Sequence, residues 1–135
     1  MRTCSLVERK SGRVIAESVE VADGFWTRFA GLQLRAPLGA GRALLLVPCQ
    51  SIHTFFMRFP IDAVMLDREG KVLHVARDMN PWRIVSRTPE TYAVLEFTAG
   101  SADVEAGEQL RVSSEDERFP ARMRFLSDVS GKGDR

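Results

Sequence analysis

Ile61-Asp62-Ala63-Val64-Met65-Leu66-Asp67-Arg68-Glu69-Gly70-Lys71-Val72-Leu73-His74-Val75-Ala76 decides the fold class of this chain. Two apolar runs, rich in β-branched residues, flank Arg68-Glu69-Gly70. Such runs favour extended backbone, and a glycine between them supplies the positive φ that a short connection needs. The stretch predicts an antiparallel hairpin of 61–67 with 71–77. Outward from it, β character recurs. Residues 43–47 are continuously apolar and end at Pro48, as in a strand buried on both faces. Residues 3–7 and 13–21 flank a turn at Lys10-Ser11-Gly12. A short aromatic segment at 54–59 stops at Pro60, and 91–97 and 109–113 read as further strands. Residues 78–90 carry Pro81 and Pro89 and read as an exposed loop.

The period changes in two places. Asp23 is an N-cap candidate, and Phe25, Phe29 and Leu32 recur at helical spacing, which predicts a helix over 24–34 ended before Pro37. A short helix over 100–106 would be capped by Thr98 or Ser101 and closed by Gly107. The expected architecture is an α+β, β-rich single domain over 1–113: a mostly antiparallel, barrel-like sheet with these two helices. Residues 114–135 form a polar tail, mobile at its end, in which Met123, Phe125 and Leu126 are the residues able to dock.

A length of 135 residues fits one domain with a core large enough to need no metal or disulfide. Nineteen Lys and Arg against eighteen Asp and Glu leave a net charge of +1, which argues against a nucleic-acid or anionic-membrane partner held by bulk charge. The local cationic runs, Arg28, Arg35 and Arg42 and then Lys71, Arg77, Arg83 and Arg87, read as solvated faces. Two cysteines, Cys4 and Cys49, are not a disulfide scaffold. The N-terminus leads directly into polar sequence, and the longest apolar run is far short of the ~20 residues of a membrane helix. A cytoplasmic protein is expected.

Four landmarks carry a family resemblance: Arg28-Phe29-Ala30-Gly31-Leu32; Ser51-Ile52-His53-Thr54-Phe55-Phe56-Met57-Arg58-Phe59-Pro60-Ile61-Asp62; Leu95-Glu96-Phe97 with Gly100; and Gly107-Glu108. In this order they make the stretch 22–112 resemble the domain of unknown function 192 family, also called uncharacterised protein family 0127, a group of small bacterial and archaeal proteins. The family pattern often has Trp at Phe56, Asn at Phe59 and Asp at Glu108. The resemblance implies a compact, mostly β fold with an early helix, and it implies no activity.

The candidate chemistry is concentrated in mid-chain. Cys49 and His53 are four residues apart, but on a regular strand they would stand more than ~12 Å apart, so direct pairing needs a turn. A buried Cys beside a hydrogen-bonded His is the plainer reading. Cys4, Cys49, His53 and His74 match no zinc spacing, so no metal or other cofactor is expected. Arg58 and Asp62 flank Pro60, either as a pair or backbone cap bracing a corner or as groups facing a pocket. Glu96 interrupts an apolar strand and becomes a candidate ligand contact if its face is enclosed. Asp62 and Glu96 together would make an acid/base pair if they met. Trp82, between Pro81 and Arg83, is either a loop packed down or a recognition residue. No phosphate-binding glycine loop, nucleophile elbow or dinucleotide fingerprint occurs. The expected function is a non-enzymatic ligand-binding or accessory module. Its small-molecule or peptide site would lie near 49–62 and use Cys49, His53, Arg58, Asp62, Trp82 and Glu96. The alternatives are a small hydrolase or transferase using His53 with Asp62 or Glu96, and a protein-interaction module using Pro81-Trp82.

Overall fold

The structure, a computed structural model, describes residues 4–22, 39–47, 52–53, 59–80, 84–85, 89–113 and 125–126. These contain nine strands: β1 (Cys4–Glu8), β2 (Val14–Ala22), β3 (Arg42–Leu46), β4 (Ile52–His53), β5 (Ile61–Leu66), β6 (Val72–Met79), β7 (Ile84–Val85), β8 (Ala93–Thr98) and β9 (Leu110–Val112). Seven form one sheet in the order β6-β5-β8-β3-β2-β1-β9, and β4 and β7 form a separate pair. All neighbours in the large sheet are antiparallel except β2 and β3, which run parallel. The mid-chain hairpin forms as expected from β5 and β6, with Gly70 at φ +82° in its connection.

Burial follows strand order. Strands β3, β5 and β8 lie inside the sheet, and almost every residue on them is buried on one face or the other. Alternation along the strands divides these side chains into two apolar clusters. Ala43, Leu45, Val64, Leu66, Leu95 and Phe97 belong to the larger cluster, which also takes Leu6, Val19 and Leu110 from the flanking strands. Leu44, Leu46, Ile61, Ala63, Met65 and Val94 belong to the other.

Three expectations change. The expected barrel is not closed: the sheet is open, and its edge strands β6 and β9 meet only at the bridge between Lys71 and Gln109. Leu110 N donates to Gly70 O at 2.9 Å, and Val72 exchanges bonds with Glu108 O and Gly107 N at 2.8 Å each. Beyond this point the edges separate. Residues 78–90 are not one loop, because β6 runs on to Met79 and β7 follows at 84–85. Residues 100–106 are not helical; they form an extended strap followed by a turn. The helix expected over 24–34 and residues 54–58 of the aromatic segment lie outside the described residues.

The strap is extended because its main-chain groups are taken by side chains rather than by one another. A helix would use these amides and carbonyls internally. Here the Asp62 carboxylate accepts from Gly100 N and Ala102 N, at 3.0 and 3.1 Å. The Arg77 guanidinium donates to Ala102 O at 2.7 Å and to Val104 O. Ala102 and Val104 turn into the larger core cluster, while Asp103 and Glu105 point outward.

Residues 125–126 also dock. Leu126 is buried in the larger cluster, and Phe125 packs edge-on against Tyr92 with ring centroids 5.1 Å apart. Arg68 lies over the Tyr92 ring at 4.4 Å from its centroid. The domain core therefore reaches past residue 113.

Candidate functional site

Asp62 and Glu96 come from adjacent strands, and the register decides their relation. On β5, Asp62 pairs with Phe97 and Ala63 pairs with Glu96. Phe97 belongs to the larger cluster and Ala63 to the smaller one. Asp62 and Glu96 therefore project from opposite faces of the sheet. They cannot form the acid/base pair with each other that the sequence left open.

Asp62 is 1% exposed and occupied by main chain. Besides Gly100 N and Ala102 N, it accepts from Asp78 N at 2.8 Å. Asp78 has φ +53° and lies in a β-bulge, where Ile61 pairs with Met79 but Ala63 pairs with Ala76. One carboxylate thus holds the β6 bulge and the start of the strap to β5. Three main-chain donors converging on one side-chain carboxyl is the backbone-capping arrangement, and it accounts for an acidic residue on an otherwise apolar strand.

Glu96 has a different setting. It is 4% exposed, on the smaller-cluster face of the central strand β8, with Leu44 opposite on one side and Ala63 on the other. Leu46, Ile61, Met65 and Val94 belong to the same cluster. A carboxylate on this face costs more to desolvate than an apolar residue would.

His53 is placed by its backbone. It pairs with Ile84, and Ile52 pairs with Val85. β4 precedes β5 in the chain and β7 follows β6, and the two pair antiparallel as a sheet of their own. The His53 strand thus lies beside the strand that Trp82 precedes by two residues. Cys49, Arg58 and Trp82 lie outside the described residues.

A second polar feature, missed in the sequence, lies at the other end of the sheet. An open groove of about 410 Å³ is lined by Glu8, Arg9, Lys10, Gly107, Glu108 and Gln109. Both its carboxylates are committed. Glu8 accepts from the Ser11 hydroxyl at 2.7 Å, Ser11 N at 2.8 Å and Lys10 N at 3.1 Å, which together hold its pKa down at about 2. Glu108 receives Arg13 Nη2 on both oxygens, at 3.0 and 3.1 Å, and this pairing raises the Arg13 pKa. The Glu8 pKa carries a pH prediction. A carboxyl with a folded pKa below its ordinary 4.5 stabilises the fold fully above pH 4.5, and that contribution drains away as the pH falls towards 2. Between pH 4.5 and 2, urea midpoints of the parent chain should fall more steeply than those of Glu8→Gln. Parallel curves would show that Glu8 is not the group responsible.

Among the described residues no three His, Cys, Asp or Glu side chains gather as a metal site, and no helix is long and apolar enough to cross a membrane.

The pattern of the family designated DUF192, "Uncharacterized ACR", matches residues 6–112, from β1 through β9. This chain belongs to the DUF192 family. The match takes in most of β1 and all of β2, before the landmark residues begin. Among relatives, a UPF0127 protein of Thermococcus sibiricus is 31% identical over 137 residues, covering 94% of this chain and 88% of that protein. A UPF0127 protein of Thermococcus gammatolerans is 30% identical over 142 residues, covering 96% and 91%. The crystal structure of a protein of unknown function from Novosphingobium aromaticivorans aligns with a TM-score of 0.69 at 21% identity, covering 81% of this chain and 83% of that one. That likeness extends to the fold. DUF192 membership brings no reaction with it, so any role for this chain rests on its own residues.

Proposed function

We propose that this DUF192 chain is a non-enzymatic ligand-binding or accessory module. Its site lies on the smaller-cluster face of the sheet, centred on Glu96 and bordered by the segments carrying Cys49, His53 and Arg58 and by Trp82. The observation that carries this reading is the β4–β7 pairing, which places the His53 strand beside the strand that follows Trp82. Ile52–His53 and Ile84–Val85, far apart in the chain, are thereby brought side by side. Glu96, buried on the face that carries the smaller apolar cluster, would supply the polar group that orients a largely apolar small molecule. Asp62 braces the scaffold and takes no part in binding.

The test is a thermal-shift screen of the purified chain against a library of small amines, carboxylic acids and nucleosides. A ligand at one hundred times its Kd stabilises by about 2.7 kcal/mol, a shift of several degrees for a domain of this size. The shift should disappear in Glu96→Gln and in the double variant His53→Ala/Trp82→Ala. A library without hits, or a hit indifferent to all these substitutions, defeats the proposal.

A further inference from the structure

The strap between β8 and β9 is the part of the fold with the most unusual attachment. No residue of 101–105 belongs to a strand, yet Ala102 and Val104 are buried in the larger cluster. Two arginines from different parts of the sheet grip it. Arg77, on edge strand β6, donates to Ala102 O and Val104 O and lies 3.4 Å from the Glu105 carboxylate. Arg13, from the β1–β2 connection, donates to Asp103 O at 3.0 Å and pairs with Asp103 at 3.4 Å and Glu108 at 3.0 Å. The side chains of Asp103 and Glu105 are 81% and 82% exposed, and those of Arg13 and Arg77 are 37% and 44% exposed.

We propose that residues 100–108 are a latch that opens as a unit, released by loss of its two arginine grips and by ionic strength, while the central strands stay folded. Three features of the attachment lead to this. The strap's hold on the sheet is mostly side chain to main chain, so a few contacts release it, whereas parting β3, β5 and β8 breaks whole ladders. The grips are charge-assisted and partly solvated, so salt weakens them and leaves a buried apolar ladder unaffected. The strap is tied to edge strand β6 through Arg77, so its opening frees the Arg77 side chain and exposes the Ala102 and Val104 contacts together. The latch stands apart from the Glu96 site: it packs on the opposite face of the sheet.

Amide hydrogen exchange on the full chain tests this. The Gly100 and Ala102 amides bond to Asp62, and the Gly107 amide bonds to Val72 O. These three should exchange together, at a lower opening cost than the amides of Leu45, Val64 and Leu95. Arg77→Met keeps the apolar stem and removes the donors. It should speed exchange of the three strap amides about 10- to 100-fold and leave the central amides unchanged. Arg77→Lys, with one donor head in place of a fork, should fall between. Arg13→Met, which removes the other grip, should likewise speed all three strap amides together. Added sodium chloride should speed the strap amides of the parent chain selectively, and this arm stands even if Arg77→Met does not fold. Equal acceleration of strap and central amides, or none in either variant or with salt, overturns the latch.

Discussion

Gly70→Ala is expected to cost about 2–5 kcal/mol and to lower the thermal midpoint by roughly 10–20 °C. Two independent penalties meet at this position. Its φ of +82° lies in the left-handed region, where a Cβ crowds the backbone. The added Cβ would also stand 2.7 Å from Leu110 O and 2.8 Å from Leu126 Cδ2. Neither neighbour yields easily. Leu110 is in β9, which is held to β1, and its own amide donates to Gly70 O. Leu126 is buried in the larger cluster. The substitution therefore pries apart the place where, among the described residues, the two edges of the sheet meet, and it displaces Leu126. Gly12→Ala is the control. Its φ is +75°, but nothing lies within 4 Å of the added Cβ, so it should lose only about 1 kcal/mol. Urea unfolding of both variants compares them directly, and equal losses would remove the packing argument.

Removing the carboxylate of Asp62 should be of similar size. Asp62→Ala leaves the amides of Asp78, Gly100 and Ala102 without their acceptor at a buried position, an expected loss of about 3–5 kcal/mol. Asp62→Asn is the sharper probe. It keeps the shape and one oxygen, but turns an amide group towards at least one of the main-chain N–H donors. A loss of about 2–3 kcal/mol is expected from denaturant unfolding. A neutral Asp62→Asn would mean that the three hydrogen bonds contribute little and that the bulge is held by packing alone.

Much of the sheet was legible in the sequence because burial was written as pattern. The β5–β6 hairpin showed as paired apolar runs around a glycine, and β3 as an unbroken apolar run that is indeed covered on both faces. The strap was misread because turn and helix punctuation coincide. Thr98, Ser101 and Gly107 fit helix capping, but they equally bracket an extended segment between two glycines of positive φ, Gly100 and Gly107. The alternation of Ala102 and Val104 with Asp103 and Glu105 held the correct period of two. The candidate site was only half legible. Asp62 showed as a charge in an apolar strand, with capping among its readings, but its donors lie 16, 38 and 40 residues away. That Asp62 and Glu96 face opposite ways depends on how β5 registers against β8, a relation no single strand contains. Arg77 looked like one more surface cation, since its use depends on a segment beyond β8.

Strand order also governs how the molecule can assemble during synthesis. β8 inserts between β3 and β5, both of which leave the ribosome earlier. Until β8 emerges, the nascent chain holds two separate pieces, β1–β2–β3 and β5–β6, each ending in an unpaired apolar strand. Both edges then stay exposed to chaperones, or to the matching edge of another nascent copy, until β8, the eighth of the nine described strands, has been translated.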